Sequence, residues 1–470
     1  MEKRDIAIVF DCGATNVRAV AIDGNGTALA FDSYPNNTCP DPFYSAYRIW
    51  DINEIWEKIC KAAQRVIAKI PVSRIVGVTV TSFGVDGTLF DESGNALYPV
   101  ISWQCERTVP IMANIEKYIP LQDLYMECGI SPISFNTINK LIWFSEHKPE
   151  LVEKSSIFLM IPSIFGYFLT GQMANDMTMA GTTMTTSLAG RKYSENIFKR
   201  INFPIEKMGT PVESGSIIGT VSAKASEETS IPKGIPVIAA GHDTQFAIFG
   251  SGAGINQPVL SSGTWEILMT RSENFSTGKK QLDLGITTEL DSCSELYNIG
   301  NQWIASGMLE WARKILYSDI VGNVYQAMET GAEKVPAGSN GVRVDPSFYE
   351  LHNGMPGGKI TGLTMETTRH EIYRAMLEAL SEKLAEGKKA LEEAGGFKTD
   401  SIICVGGGSK NRLWNQLRAN ATGVPIKVIG HKETTVLGAS FFVQAACGNF
   451  SSPEAARDTI EYSAEVFLPE

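Results

Sequence analysis

Apolar positions first gather at Ile6 to Phe10, a five-residue run that stops at Asp11 and predicts a short buried strand. Asp11 to Asn16 then supplies a turn with a glycine and small polar side chains, and Val17 to Ile22 predicts a second strand. Asp23-Gly24-Asn25-Gly26 reverses the chain into a third, because glycine permits the positive φ that such turns need. Asp51 with Glu54 three residues on marks a helix start, and Ile52, Ile55, Trp56, Ile59 and Cys60 share one helical face. Ile75 to Val80 is nearly all apolar, as expected of a strand covered on both faces.

A similar order returns in the second half. Pro258 to Ser261 and Glu266 to Thr270 flank the turn Ser262-Gly263-Thr264, in the manner of the N-terminal strand pair. Thr368 with Glu371 opens a long helix carrying Ile372, Ala375, Met376, Ala379, Leu380 and Leu384, closed by Gly395-Gly396. Strand Ser401 to Val405 follows, then Gly406-Gly407-Gly408 and a helix from Lys410 that ends before Gly423 and Pro425. Any α/β chain alternates such elements, so the repeat alone leaves chance resemblance between the halves open.

Length favours two units: 470 residues exceed the roughly 250–300 at which one core stops growing. A net charge of −11 argues against a nucleic-acid binder, which needs clustered Lys and Arg. The eight cysteines form no CxxC pair, so neither zinc nor redox chemistry is indicated. The apolar run before Asp11 is shorter than a secretory core of roughly 7–15 residues. Ile157 to Leu169 is broken by Pro162, Ser163 and Gly166, short of the roughly 20 residues of a membrane helix. The expectation is a cytoplasmic protein without membrane or nucleic-acid partners.

No GxxxxGK[ST], HRD or DFG occurs, and Gly250-Ser251-Gly252-Ala253-Gly254 lacks the last glycine of a dinucleotide fingerprint. Three glycine turns leave strands instead: Asp11 to Asn16, Ser261 to Thr264, and Gly406 to Ser409. Exposed N–H groups and hydroxyls in such turns can hold phosphate oxygens without a lysine. Asp11 at a strand end could orient Mg²⁺, or could simply bond its own turn. Pro236 to Ala240 predicts a strand running into Gly241-His242-Asp243-Thr244-Gln245, which puts Asp243 where open α/β sheets place ligand chemistry. Asp243 could accept the proton of an attacking hydroxyl, or cap a helix starting near Thr244. Thr81 to Gly87 and Ser102 to Arg107 offer a carboxylate, an aromatic face and a guanidinium suited to a polyol, or else a surface turn and a structural ion pair.

Together, Asp11 to Arg18, Thr81 to Gly87, Ile101-Ser102-Trp103, Ala240 to Phe246 with Phe249-Gly250, Ser261 to Met269, and Val405 to Ser409 with Trp414-Asn415-Gln416 resemble the FGGY carbohydrate kinases of the actin, Hsp70 and hexokinase superfamily. The resemblance implies an α/β chain of two duplicated ribonuclease-H-like, actin-like ATPase domains with the active site in the cleft between them. Residues 1–245 would be the sugar-binding domain and 246–470 the ATP-binding one. It implies phosphoryl transfer from ATP, with Mg²⁺, to the 1-hydroxyl of L-fuculose, with L-rhamnulose or another ketose as the alternative acceptor. By the family motif, Asp243 is the base and Asp11 the metal organiser. Gly13, Thr15, Asn16, Gly263 and Thr264 fall at the phosphates, and Gly307, Gly407, Gly408 and Asn411 beside the nucleotide. Gly84, Asp86, Trp103, Arg107, His242 and Asn298 carry over to the sugar side, with Asp243. A sensor that binds ATP and sugar without transfer is the alternative from another class, and assembly into homo-oligomers is left open.

Overall fold

The computed structural model describes residues 4–348, 351–352, 355–430 and 433–470. Six strands build the first sheet: β1 (Ile6–Cys12), β2 (Asn16–Ile22), β3 (Ala28–Pro35), β4 (Ile75–Ser82), β5 (Ile217–Thr220) and β6 (Pro236–Ile238). Their order is β5-β6-β4-β1-β2-β3. β1, β4 and β6 run parallel, while β2, β3 and β5 are antiparallel to their neighbours. Every residue of β1 and β4 is buried, which explains their nearly continuous apolar character.

The second sheet contains β7 (Val259–Ser262), β8 (Trp265–Ser272), β9 (Thr287–Leu290), β10 (Tyr297–Ile304), β11 (Ile402–Val405), β12 (Ile426–Ile429) and β13 (Ala464–Phe467), in the order β9-β10-β8-β7-β11-β12-β13. A parallel trio, β7, β11 and β12, again joins an antiparallel pair and ends in an antiparallel edge strand. The halves therefore share one topology, β3-β2-β1-β4-β6-β5 matching β10-β8-β7-β11-β12-β13. The matching edge strands arise differently: β5 precedes β6 in the chain, whereas β13 follows β12. β9 is an addition to the second sheet, and the sequence pattern did not announce it.

Helix α1 (Ile52–Ile67) starts where Asp51 accepts the amides of Asn53 and Glu54, and it buries Ile52, Ile55, Ile59 and Cys60. Helix α2 (Asp243–Gly250) leaves the first sheet, so the expected boundary at 245/246 falls inside a helix. The capping box of Thr368 and Glu371 opens α3 (Arg369–Gly395), and Gly396, at φ 68°, ends it. Helix α4 (Arg412–Thr422) begins two residues beyond Lys410, because Asn411 caps it through the Trp414 amide and residues 407–410 form a 3-10 turn. Helix α5 (Thr434–Ala446) returns from the end of the second half to the first sheet. There Val436, Leu437 and Phe442 join Ala7, Val9, Val20, Phe246 and Phe249 in one buried cluster.

That cluster depends on two glycines. A Cβ at Gly438 would lie 1.9 Å from the Phe246 carbonyl oxygen, and one at Gly250 would lie 2.0 Å from the Thr434 oxygen. The backbones of α2 and α5 thus touch directly. Ahead of α2, Gly241 is equally confined, since its Cβ would meet Thr178 Oγ1 at 2.3 Å and Asp176 Oδ1 at 2.5 Å. Asp176 caps the helix Met177–Gly181, and its buried carboxyl accepts from the Thr178 amide at 2.8 Å and Ser214 Oγ at 2.8 Å. Burial pushes its pKa up to about 6, against the lowering effect of these bonds.

All eight cysteines are free thiols. Among the described residues no helix is long and apolar enough to cross a membrane. The apolar segment near Ile157 divides into a strand, Ile157–Met160, and a helix, Ile161–Thr170.

Two consequences are measurable. Gly438→Ala should destabilise the protein by about 1–3 kcal/mol in chemical unfolding, because a methyl there must separate two backbones. Asp176 holds its proton more tightly when folded, so its contribution is fully present below about pH 4 and lost as the pH rises through about 6. Asp176→Asn should flatten that part of the stability profile, an effect on the order of 2–3 kcal/mol between about pH 4 and about pH 7.

Candidate active site

Three parallel strand ends meet at one rim of the first sheet. Asp11 pairs with Thr81 and Cys12 with Ser82 across β1 and β4. Ser82 forms a further parallel bridge with His242. The Ser82 amide and Thr81 Oγ1 donate to the Gly241 oxygen at 3.0 and 2.9 Å, and Ser82 Oγ donates to the Cys12 oxygen at 2.7 Å. These bonds continue the sheet past β6 and bring Asp11 and Asp243 to the same rim, at the carboxyl ends of the strands.

Asp243 is the first residue of α2, with His242 in the cap position. Its Oδ1 accepts only the amide and hydroxyl of its neighbour Thr244, at 2.6 and 3.3 Å, so it caps nothing further along the helix. Its side chain is 28% exposed, open enough to meet a substrate. Asp11 is more enclosed. Burial raises its pKa, Arg18 opposes that rise, and Asp243 and Glu433 add to it. Arg18 donates to Asp11 and, at 2.6 Å, to Glu433, linking the first sheet to the residue that precedes α5.

Among the described residues no group of three or more His, Cys, Asp or Glu side chains could cage a metal. Asp11, whose charged form the nearby Asp243 disfavours, would suit a different kind of cation. Mg²⁺ keeps most of its water and binds through one or two carboxylates together with substrate phosphates.

The glycine turns of the two halves are built alike. The Gly13 amide donates to the Asn16 oxygen at 2.9 Å, and Asn36 braces the turn through the Thr15 and Gly13 oxygens. In the second half, the Gly263 amide donates to the Trp265 oxygen at 3.0 Å. The Ser306 and Gly307 amides bond back to the Gly263 and Thr264 oxygens, and a Cβ at Gly307 would sit 3.2 Å from Thr264 Cγ2. Gly406 and Gly408 press on Ser262, whereas a Cβ at Gly407 would face open space. Asn411, besides capping α4, donates to the Tyr373 hydroxyl at 3.2 Å. Gly263, Thr264, Gly307, Gly407 and Gly408 therefore share one rim of the second sheet. Behind them Glu266 accepts from Ser262 Oγ, Trp303 Nε1 and Arg418, all buried, and this ties the hairpin to α4.

On the acceptor side, Gly84 packs on Thr182, and Val85 stands at φ 67°, a strained setting for a β-branched residue. Three contacts hold it there: Thr182 Oγ1 accepts its amide, while Thr137 Oγ1 and Lys140 Nζ donate to its carbonyl. Asp86 is wholly buried, its oxygens taken by Lys140, Trp50 Nε1 and the Trp103 amide. It shapes the loop and places Trp103, and its carboxylate has no free face. Arg107 is the candidate that the structure does not bring to the rim. Its guanidinium is fully buried on Asp41, within 4.5 Å of the Tyr47 ring centroid and 4.9 Å of that of Trp143. Here the structural ion pair is what the chain built.

His242 and Asn298 meet through groups that sequence reasoning missed. His242 Nδ1 lies 3.0 Å from Glu289 Oε2, and Gln245 Nε2 donates to the same oxygen at 2.6 Å. Asn298 Nδ2 donates to Gln245 Oε1 and to Asp291. Glu289 sits on β9, and no local pattern around Thr287-Thr288-Glu289 marks it, since its partners lie over forty residues away. Lys140 was missed for the same reason: it lies inside the apolar helix Thr137–His147 and reads as an interruption of its pattern.

Known proteins resemble this chain over its whole length. The N-terminal domain of the FGGY family of carbohydrate kinases matches residues 6–250, and the C-terminal domain of that family matches residues 259–446. The chain is 42% identical to the L-fuculokinase of Escherichia coli (strain K12), covering 100% of this chain and 98% of the relative. It is 41% identical to the L-fuculokinase of Haemophilus influenzae, covering 99% of each. The fold superimposes on the crystal structure of xylulose kinase from Rhodospirillum rubrum with a TM-score of 0.89, at 19% identity, over 99% of this chain and 94% of that one. Two α/β halves of matching topology, with both sequence domains matched in order along the chain, lead to one conclusion: the chain belongs to the FGGY family of carbohydrate kinases.

Proposed function

We propose that this kinase transfers the γ-phosphoryl group of MgATP to the 1-hydroxyl of L-fuculose, giving L-fuculose 1-phosphate and ADP in the cytoplasm. The observation that carries the reading is the 42% identity to an L-fuculokinase across the whole chain, which leaves no segment of the rim outside the match.

In this reading Asp243 accepts the proton of the 1-hydroxyl as its oxygen attacks the γ-phosphorus, the bond to the bridging oxygen breaks, and ADP leaves. Its exposure and its two short-range bonds to Thr244 support that role, for they fix the carboxylate without enclosing it. The turns at Gly13, Thr15 and Asn16 and at Gly263 and Thr264 hold the triphosphate, and Gly307, Gly407, Gly408 and Asn411 border the nucleoside. Asp11 would hold Mg²⁺, which when bound neutralises charge on the β and γ phosphates. Arg18, already paired with Asp11, holds that carboxylate in place and opposes the rise that burial gives its pKa. Gly84 and Trp103 border the acceptor with His242, Asp86 holds their loop, and the fully buried Asn298 braces Gln245 behind them. Closure of the two halves over both substrates excludes water, which keeps ATP from wasteful hydrolysis.

Asp243→Asn should bind ATP like the parent protein and lose about 10²–10⁴-fold in sugar phosphorylation. Isothermal titration with a non-hydrolysable nucleotide and a coupled ADP-release assay separate the two effects. Normal turnover by this variant would remove the base assignment. A parent protein that binds both ligands without turning over any ketose would be a sensor. The same assay over L-fuculose, L-rhamnulose, L-xylulose, D-ribulose and D-xylulose should give its highest kcat/KM with L-fuculose, and a clear preference for another sugar would replace the substrate while keeping the class.

A further inference from the structure

The acceptor side contains one ion pair that crosses between the halves. His242 belongs to the rim of the first sheet, and Glu289 to β9, the strand that the second sheet has and the first lacks. The backbone of His242 is clamped: its amide donates to Thr178 Oγ1 at 2.9 Å, and it is bridged to Ser82. The ring alone is left to be aimed, and Glu289 aims it. With Nδ1 3.0 Å from Glu289, the other ring nitrogen, Nε2, lies 3.7 Å from Asp243 Oδ1. The carboxylate is fixed in its turn by Gln245, whose amide oxygen accepts from the fully buried Asn298.

We propose that Glu289 is a positioning residue of the acceptor site: from the second half it holds His242 as a doubly protonated imidazolium whose Nε2–H faces the acceptor oxygens beside Asp243. This rests on the reading of Asp243 as the base. The chemistry recognised is an α-hydroxy ketone, in which the oxygen next to the reacting hydroxyl can accept that hydrogen bond while the hydroxyl itself turns to the carboxylate. An imidazolium beside Asp243 also has no free lone pair to compete for the proton the base must take. Because the donor is aimed by the opposite half, the acceptor site is complete only when the two sheets are in register.

The charged groups facing His242 are Glu289 from β9 and Asp243 from α2; one residue back, Asp176 lies against Gly241 with its oxygens taken by Thr178 and Ser214. Burial disfavours protonation of His242, yet Glu289, helped by Asp243, outweighs it and raises the pKa above the usual histidine value. Glu289 shows the matching behaviour: burial raises its pKa, and His242 and Gln245 more than offset that. The protonated imidazole is therefore present at low pH and lost as the pH climbs through its raised pKa, and removing Glu289 moves that loss to lower pH.

The test uses the full chain with Glu289→Gln and Glu289→Asp. With five histidines in the sequence, the His242 ring signal can be assigned by its absence in His242→Asn and titrated by NMR without nucleotide or sugar. In the parent protein it should titrate above the ordinary value of about 6.5, and in Glu289→Gln lower by about 1–3 units. Steady-state kinetics with whichever ketose the parent protein prefers should show kcat/KM for sugar down by about 10- to 100-fold in Glu289→Gln. Its alkaline limb should move to lower pH, the ATP dissociation constant should be unchanged, and Glu289→Asp should recover part of the loss. A parent His242 that titrates below the ordinary value overturns the proposal without any variant. So does a Glu289→Gln protein whose titration and pH profile match the parent, or one that loses sugar and ATP binding equally. Failure of the substrate reading is visible separately, as absent turnover of L-fuculose by the parent protein, and the NMR titration still decides the role of Glu289.

Discussion

The direct contact of two helix backbones, α2 on α5, is the constraint from which the rest of the site takes its position. α2 has to do two things at once: its first residue is Asp243, at the rim of the first sheet, and its last turn must reach the second sheet at Val259 nine residues later. α5 has to bring the end of the chain back across that junction and cover β1 and β4. Side chains at the crossing would push the helices to the usual separation of roughly 8–10 Å. Glycine at 250 and 438 removes that spacing, so the apolar faces of both helices, Phe246 and Phe249 with Val436, Leu437 and Phe442, close over the first sheet as a single layer. The distance between the two rims is then set by backbone contact, which is stiffer than side-chain packing.

Charge is handled by burial in pairs. Arg107–Asp41, Lys140–Asp86 and Arg418–Glu266 have no exposed side-chain surface at all. Such pairs add little net stability against an apolar replacement, but losing one partner costs about 3–5 kcal/mol, so each resists rearrangement strongly. Each also sits directly behind a loop of the site: Lys140–Asp86 behind the strained Val85 turn and Trp103, Arg418–Glu266 behind the Gly263-Thr264 hairpin, Arg107–Asp41 under the segment that follows Trp103. The loops that would meet ligands are thereby braced from inside by interactions with no contact to the ligands themselves.

The sequence carried local information well and long-range information hardly at all. The strands Ile6–Cys12 and Ile75–Ser82, the cap at Asp51, the capping box at Thr368 and the stop at Gly396 follow from neighbouring residues, and all were readable. The duplicated sheet order was only suggested, because pairing joins residues as far apart as Val78 and Val237 or Val259 and Ile403; β9 and the reversed origins of the edge strands β5 and β13 have no local signature. The same division runs through the site. Asp11, Asp243 and the glycine turns announce themselves by sitting at strand ends. Arg107 looked available because an arginine beside an aromatic suits a sugar, and only the fold reveals Asp41 waiting beneath it. Glu289, Lys140 and Arg418 were invisible because each gains its meaning from a partner on a distant element.

The two rims differ in charge, and on the proposed function that difference calls for a cation. The first carries carboxylates, Asp11 and Asp243, with Glu433 close by, and Arg18 answers only part of that charge. The second, at Gly263, Thr264, Gly407 and Gly408, offers amides and a hydroxyl, and none of these four residues is charged. Phosphates seated on those neutral turns and approaching the first rim would meet like charge, and the pKa of Asp11, already raised by burial, would be driven further towards the neutral acid. On the proposed function, a divalent ion travelling with the phosphates would reverse the sign of that encounter for Asp11, while Asp243, more exposed and beside His242, is left to receive a proton. On that reading, the asymmetry between an acidic rim and uncharged glycine and threonine turns gives the two aspartates different work although they share one edge of one sheet.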